Sequence, residues 1–171
     1  MERVNQILHH PAYVEYIQKI KIHEENRIFC KHDMVHFLDV CRIAENLWLR
    51  HCLENKDIRE NFALNMDMKA HIYATGLLHD IGRWQEYEEG MPHEVASAHL
   101  AESILIECGF EEHIRKDILL AISNHRNNAI KEEDTLSGWI YRADKLSRAC
   151  YACEAEKDCD WSKIKKNLKI T

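Results

Sequence analysis

At 171 residues with a net charge of −6, the chain has the length of one ordinary domain, and its acidity argues against a nucleic-acid backbone as the main partner. Its balance of apolar and charged residues is that of a soluble globular protein, and no apolar run approaches the roughly 18 residues of a membrane span. The opening Met1-Glu2-Arg3-Val4-Asn5-Gln6 carries no signal-peptide pattern, so a cytoplasmic location is expected, with no membrane partner and with reduced thiols for the seven cysteines.

Five glycines and two prolines punctuate a chain whose apolar residues recur at helical spacing, so the expected fold is all-α. Pro11 suits a first helical position, opening a helix through Tyr13, Val14, Ile17, Ile20 and His23. The spacing of Phe37, Val40, Cys41, Ala44, Leu47 and Trp48 predicts a second helix from about Met34 to His51. A polar segment, Glu54 to Glu60, follows. Asp67 is placed to cap a third helix carrying Ile72, Tyr73, Leu77 and Leu78, which ends near Asp80–Gly82. Glu86 to Met91 reads as a loop. Pro92 starts a helix through Val95, Leu100, Ile104 and Leu105, stopped by Gly109. Two more helices are expected, from Glu111 to about His125 and from Leu136 to about Leu146, with Asn127-Asn128 between them. No repeat, low-complexity stretch or linker interrupts the chain, so one domain over residues 1–171 is expected, with a half-ordered tail from Tyr151 to Thr171 packed on it.

The most informative run is Ala74-Thr75-Gly76-Leu77-Leu78-His79-Asp80-Ile81-Gly82. An apolar helix ends there in an imidazole, a carboxylate and a glycine. Imidazole and carboxylate are both good ligands for divalent first-row metals, and a metal is the simplest reason to bury the pair. Twelve histidines supply further candidates. His36 lies on the apolar side of its helix, in line with Val40 and Ala44. His93 follows Pro92 at a helix start, where the backbone dipole keeps imidazole neutral. His125 ends a helix, and Asp144 stands next to the apolar stripe of Ile140-Tyr141-Arg142-Ala143-Asp144-Lys145-Leu146. His36, His79, Asp80, His93, His125 and Asp144 are the assembled ligand set, and Asp80, with two oxygens, is the candidate bridge between two metals. His36, His93 and His125, each taken alone, read first as satisfied core residues, and Asp144 alone as a buried hydrogen-bond acceptor or half of an ion pair with Arg142 or Lys145, whereas the adjacent His79-Asp80 reads first as a ligand pair. His32, four residues before His36, is left open as lining the same pocket. The remaining histidines read mostly as surface or interfacial.

The order His36, His79-Asp80, Asp144 resembles the HD-domain superfamily of metal-dependent phosphohydrolases. His36-Phe37-Leu38-Asp39-Val40-Cys41-Arg42-Ile43-Ala44 is similar to that family's first-histidine helix. Leu77-Leu78-His79-Asp80-Ile81-Gly82 is similar to its namesake motif, and Tyr141-Arg142-Ala143-Asp144-Lys145-Leu146 to its late aspartate. The resemblance spans about residues 30–150 and implies a helical bundle with the metal site between helices. His93 in Pro92-His93-Glu94-Val95-Ala96-Ser97-Ala98 and His125 in Ala121-Ile122-Ser123-Asn124-His125-Arg126 look like the extra ligands of dinuclear members, which the mononuclear nucleotidases lack. Among characterised members the chain is similar to the bacterial family that symmetrically hydrolyses dinucleoside tetraphosphates. It departs from that family in Cys30-Lys31-His32 and in its cysteine-bearing tail.

Six ligands supply donors for two divalent transition-metal ions, and the mixed nitrogen and oxygen set suits iron, manganese, zinc or cobalt better than magnesium. Two such ions activate a hydroxide to attack phosphorus in line, so Asp80, together with Arg126 and Lys145, is assigned a catalytic role and no serine or cysteine nucleophile is needed. Arg83, Arg126, Lys145 and Arg148 lie near the proposed ligands and are the phosphate candidates, with Arg126 and Lys145 first. Each alone reads as solvated surface charge; as a group they make a phosphate ester or anhydride of a nucleotide-like small molecule the expected substrate. The same six ligands serve HD-type di-iron oxygenases, which stand as the alternative. A non-catalytic nucleotide- and metal-binding module ranks third. A homodimer is compatible with the sequence.

Cys150-Tyr151-Ala152-Cys153, with Cys159 and Cys30, invites comparison with a four-thiolate zinc site. One C-x-x-C with no second pair is weak evidence, so plain packing is the favoured reading, with zinc or a redox pair as alternatives. Cys41, Cys52 and Cys108 fall in helical patterns and read as small core residues.

Overall fold

A computed structural model describes residues 1–55 and 67–170. It is all-α, as the apolar periodicity predicts, with no strand among the described residues. A short helix not anticipated from the sequence, α1 (Glu2–His9), buries Val4 and Ile7 in the core. His10 then takes the extended backbone expected before proline and accepts a hydrogen bond from the Ala12 N–H at its Nδ1. Pro11 opens α2 (Pro11–His23), which buries Tyr13 and Ile20 but leaves Val14 exposed.

Helix α3 (Met34–Glu54) runs three residues beyond the expected end. Its cap is Asp33, whose Oδ1 accepts from the N–H groups of Val35 at 2.9 Å and His36 at 3.1 Å. That cap fixes where the first turn of α3, and so His36, begins. The polar segment expected over Glu54–Glu60 lies, beyond Asn55, outside the described residues. Helix α4 is Met68–Leu78. Asp67 precedes it but makes no side-chain capping bond, because its own backbone is already helical.

Apolar nearly all round, α4 is the buried strut of the molecule. It packs against α1, α3, α6 (His93–Glu107), α7 (Glu112–Asn124) and α8 (Leu136–Leu146). Phe37, Ile72, Leu77, Leu78, Ile104 and Ile118 fill the space between these helices. Running out of α4, the chain therefore delivers His79 and Asp80 to the inside of the bundle.

The segment read as a loop from Glu86 is largely helical: α5 is Arg83–Glu89. Gly90, at φ 72°, provides the left-handed cap and donates its N–H to the Glu86 carbonyl. The helix holds because Trp84 is buried, stacked on Tyr16 and covered by the Lys19 ammonium 3.9 Å from its ring. That contact comes from α2, far away in sequence. Gly109 ends α6 as expected, at φ 74°: Phe110 N–H donates to Leu105 O and Gly109 N–H to Ile106 O, the two bonds of a Schellman motif.

The tail is more ordered than its sequence promises, with 3-10 turns at Cys150–Ala152, Glu156–Asp158 and Lys163–Lys165. Asn167 Nδ2 clamps it to the end of α8, donating to the carbonyls of Lys145, Leu146 and Arg148 at 2.8–3.2 Å. No helix among the described residues is long and apolar enough to cross a membrane.

Candidate metal centre

The six residues assembled from the sequence converge in the middle of the bundle. Their ligand atoms form two groups, His36, His79, Asp80, Asp144 and Asp80, His93, His125, each with all its atoms within 4.8 Å of one another. Asp80 belongs to both. Its Oδ2 lies 3.6 Å from His36 Nε2 and 3.3 Å from His79 Nε2. Its Oδ1 lies 3.2 Å from His93 Nε2 and 3.5 Å from His125 Nε2. One carboxylate oxygen thus faces each histidine pair. Asp144 Oδ1 completes the first group, 3.8 Å from His36 Nε2.

The donors reach this point from five places in the chain: α3, the end of α4 and the turn after it, the first residue of α6, the end of α7, and α8. His79 and Asp80 are adjacent yet share the centre because α4 stops at Leu78 and the chain turns there.

The hydrogen bonds of the outer ring nitrogens assign the tautomers. His79 Nδ1 bonds the Gly76 carbonyl at 2.8 Å, and His125 Nδ1 the Ile122 carbonyl at 2.6 Å. Carbonyls only accept, so both Nδ1 atoms carry the proton. His93 Nδ1 lies 2.7 Å from Glu86 Oε2 and 2.8 Å from the Arg83 guanidinium, which also donates to that Glu86 oxygen. His36 Nδ1 donates to Ser147 Oγ at 3.2 Å, and the Ser147 hydroxyl donates to the Asp144 carbonyl at 2.8 Å. The Nε2 atoms of His36, His79 and His125 are therefore each left with a lone pair facing Asp80.

Those inward atoms lack ordinary partners. His36 Nε2, His79 Nε2 and Asp80 Oδ1 are buried with no hydrogen-bond partner. Orphaned lone pairs gathered this closely are costly in a protein interior unless a cation takes them up. The residues present fit divalent metal ions, with nitrogen and oxygen donors only and two carboxylates to offset the charge.

Ionisation agrees with that role. Burial acts to raise the Asp80 carboxyl, but its electrostatic interactions with the surrounding imidazoles, His79 first, outweigh it and hold it well below the usual range. Asp144 is held low in the same way, against burial, mainly by the Lys145 ammonium. Burial pushes His93 down to about 3, a neutral ring at physiological pH.

Sequence reasoning left His32 open, and the structure brings it to the centre. Its Nε2 is 3.6 Å from Asp80 Oδ2, and its Nδ1 is 2.5 Å from Glu24 Oε1. Glu24 also accepts the Tyr87 hydroxyl at 2.6 Å and the His32 backbone N–H. Glu24, Glu86, Tyr87 and Ser147 were not anticipated at all. Their only signal is spatial, because each lies on an element distant in sequence from the group it serves or in a stretch without periodic pattern.

The phosphate candidates divide between the two sides. Lys145 bonds Asp144 and donates to the His125 carbonyl at 3.3 Å, while Arg148 approaches Asp144 Oδ2 at 3.8 Å and lies over the Trp161 ring. Arg83 is drawn into the His93–Glu86 pair. Arg126 is half exposed and reaches Glu94 at 3.2 Å and Glu86 at 3.7 Å. Of the two partners considered for Asp144, Lys145 takes the role and Arg142 pairs with Asp134 instead.

An all-α bundle with a buried cluster of histidines around a shared aspartate has the form of a metal-binding centre between helices. The HD domain family model matches residues 35–149, and the chain belongs to that family. A Clostridium beijerinckii protein described as uncharacterized is 38% identical over 170 residues, 99% of each chain. No solved structure matches the chain significantly. Membership sets the general activity as that of a metal-dependent hydrolase, and HD domains bind divalent metals through such a His/Asp cluster.

Glu24 makes a pH prediction. Burial acts to raise it, but its bonds with His32 and Tyr87 and the His32 charge lower it to about 2 from an ordinary 4.5. A depressed carboxyl contributes stability that is whole above its unfolded value and is lost as pH falls through its folded value. Glu24→Gln should therefore be less stable than the parent at pH 7, with the gap closing between about pH 4.5 and 2. Urea midpoints of both proteins across that range test it; a gap independent of pH rules out an ionised Glu24 as the cause.

Proposed function

We propose that the protein hydrolyses a phosphate ester or anhydride of a nucleotide-like small molecule at a dinuclear metal site. The observation that carries this reading is the division of the Asp80 carboxylate between the His36–His79 and His93–His125 pairs. His36, His79, Asp80 and Asp144 would hold one divalent ion and Asp80, His93 and His125 a second, and such a pair would supply a lowered pKa for water and positive charge for phosphoryl oxygens. The chain itself does the rest. Asp80 and Asp144 stay ionised, the histidine rings are oriented by their outer hydrogen bonds, and Lys145, Arg148 and Arg126 bring positive charge to both sides.

A groove of about 600 Å³ lies between α2 and the start of α3, lined by Lys21, Lys31, Glu24 and His32 among others. That volume accommodates a nucleotide-sized ligand. His32 belongs to both groove and metal centre, so a substrate seated there would extend toward Asp80, and the two lysines suit further phosphate groups. With the resemblance to the symmetrical dinucleoside-tetraphosphate hydrolases, this makes phosphoanhydrides the first substrates to try.

One observation favours a second reading. Asp80, His93 and His125 together form a two-histidine, one-carboxylate set, the ligand pattern of non-haem iron oxygenases. The experiment is phosphate release from a panel of nucleotides and dinucleoside polyphosphates by protein loaded with Mn, Fe, Co or Zn, with and without air. Hydrolysis that persists without O₂ is the expected result. Turnover that requires O₂ and an iron-loaded protein, with no phosphate released, overturns the hydrolase reading.

A further inference from the structure

Outside the histidine centre, four of the seven cysteines meet at one place. Cys30, from the loop between α2 and α3, and Cys150, Cys153 and Cys159, from the tail, line a cavity of about 20 Å³ with Glu156 and Lys166 beside them. That space holds about one small occupant against a sulfur-rich wall.

The other three cysteines show what packing looks like. Cys41, Cys52 and Cys108 are buried in the core. The convergent four are only partly buried or exposed, so filling the core does not account for them. Two cations stand by. Lys166, nearly buried, donates to the Glu156 carbonyl at 2.7 Å and to its Oε1 at 2.9 Å, and its charge reaches Cys159 and Cys150. Arg148 exerts its charge on Cys30. Four thiolates around a divalent ion carry net negative charge, and these cations offset it.

We infer that Cys30, Cys150, Cys153 and Cys159 bind one Zn²⁺ as a closed, four-thiolate structural site, separate from the His/Asp centre. Coordination releases the four thiol protons to solvent and leaves the ion no open position. Among the described residues only the two groups around Asp80 bring three ligand atoms within 4.8 Å of one another, so the four sulfurs stand further apart than that and must draw together to reach Zn–S distances of about 2.3 Å. They sit on short 3-10 turns and a loop, the elements best able to make that adjustment.

The site joins two segments that position the first ligand group. Cys30 precedes His32 and the Asp33 cap of α3, and Cys150 follows Ser147, the residue that holds His36. Tying them together fixes His36 and Asp144 from outside the centre.

The test uses the full chain, loaded with Zn²⁺ in reducing buffer. X-ray absorption at the zinc edge should show a sulfur shell near 2.3 Å, and Co²⁺ substitution should give sulfur-to-cobalt charge-transfer bands. The double variant Cys150→Ser/Cys153→Ser should lose one zinc per chain and the sulfur shell, while His79→Ala keeps both sulfur signatures. If the double variant does not fold, the two spectra of the unmutated protein decide. Nitrogen and oxygen scattering alone, an unchanged zinc count in a folded double variant, or an iron–sulfur chromophore in the purified protein each overturns the inference.

Discussion

Asp80→Ala is expected to lower turnover by about a thousandfold or more and to deplete metal from both halves of the centre. The reason is geometric. Each Asp80 oxygen serves a different histidine pair, so one substitution takes a donor from both groups. The His93–His125 side is left with two neutral nitrogens and no charge to hold a cation; the other side keeps His36, His79 and Asp144. Stabilisation of phosphoryl-transfer charge by metal ions is worth several kcal/mol, and each 1.36 kcal/mol is tenfold in rate, which sets the thousandfold scale. His125→Ala is the contrast, because it touches one group only and should lose one ion while retaining the other. Metal content by mass spectrometry beside kcat for both variants reads the difference. Full metal occupancy and retained activity in Asp80→Ala would end the bridging role.

Much of this centre was legible because ligands must come from the ends or inner faces of helices, and helical periodicity shows both. His79-Asp80 stands where an apolar run stops, and His36 lies in a stripe with Val40 and Ala44. What periodicity does not carry is the supporting ring. His32 sits in a loop, and its ring points to Asp80 because Glu24, at the end of α2, grips its other nitrogen. Glu86 fell in a stretch read as loop, since α5 is only seven residues long and rests on Trp84 packing against Tyr16 and Lys19 rather than on a pattern of its own. The tail was underestimated for the same reason: Asn167 orders it through three carbonyls at the end of α8, a contact with no local signature. Dependence on the supporting ring is also functional. An imidazole whose outer nitrogen is fixed to a carbonyl or carboxylate presents one lone pair in one direction, and loss of such a partner commonly costs 10–100-fold in metal affinity or activity.

The glycine that closes the His-Asp-Ile-Gly run yields the largest expected effect on stability. A Cβ built on Gly82 would stand 2.4 Å from the Ser97 backbone nitrogen, 2.6 Å from Ala96 Cβ and 2.8 Å from the Ala96 carbonyl carbon. All three belong to α6, and two are backbone atoms, so no flexible side chain can swing aside. Gly82 N–H also donates to the buried Ser97 Oγ at 2.9 Å, which pins the turn after Asp80 directly onto α6. Overpacking of this kind costs about 1–3 kcal/mol, sometimes more. Gly82→Ala should therefore melt roughly 2–12 °C below the parent, at about 2–4 °C per kcal/mol for a chain of this size. Gly90→Ala separates steric from conformational cost: its φ of 72° strains alanine, but nothing lies within 4 Å of the added carbon, so a loss of about 1–2 kcal/mol is expected and no effect on metal. The Gly82 variant should also change the centre, because α6 begins with His93, four residues before Ser97. Pushing α6 away from the turn moves His93 Nε2 away from Asp80 Oδ1, whereas His36, His79 and Asp144 do not belong to α6. Selective loss of one ion together with the lowered melting temperature is the expected signature. A Gly82→Ala protein that melts with the parent and keeps two ions would mean that the close approach of this turn to α6 does not hold the second histidine pair in place.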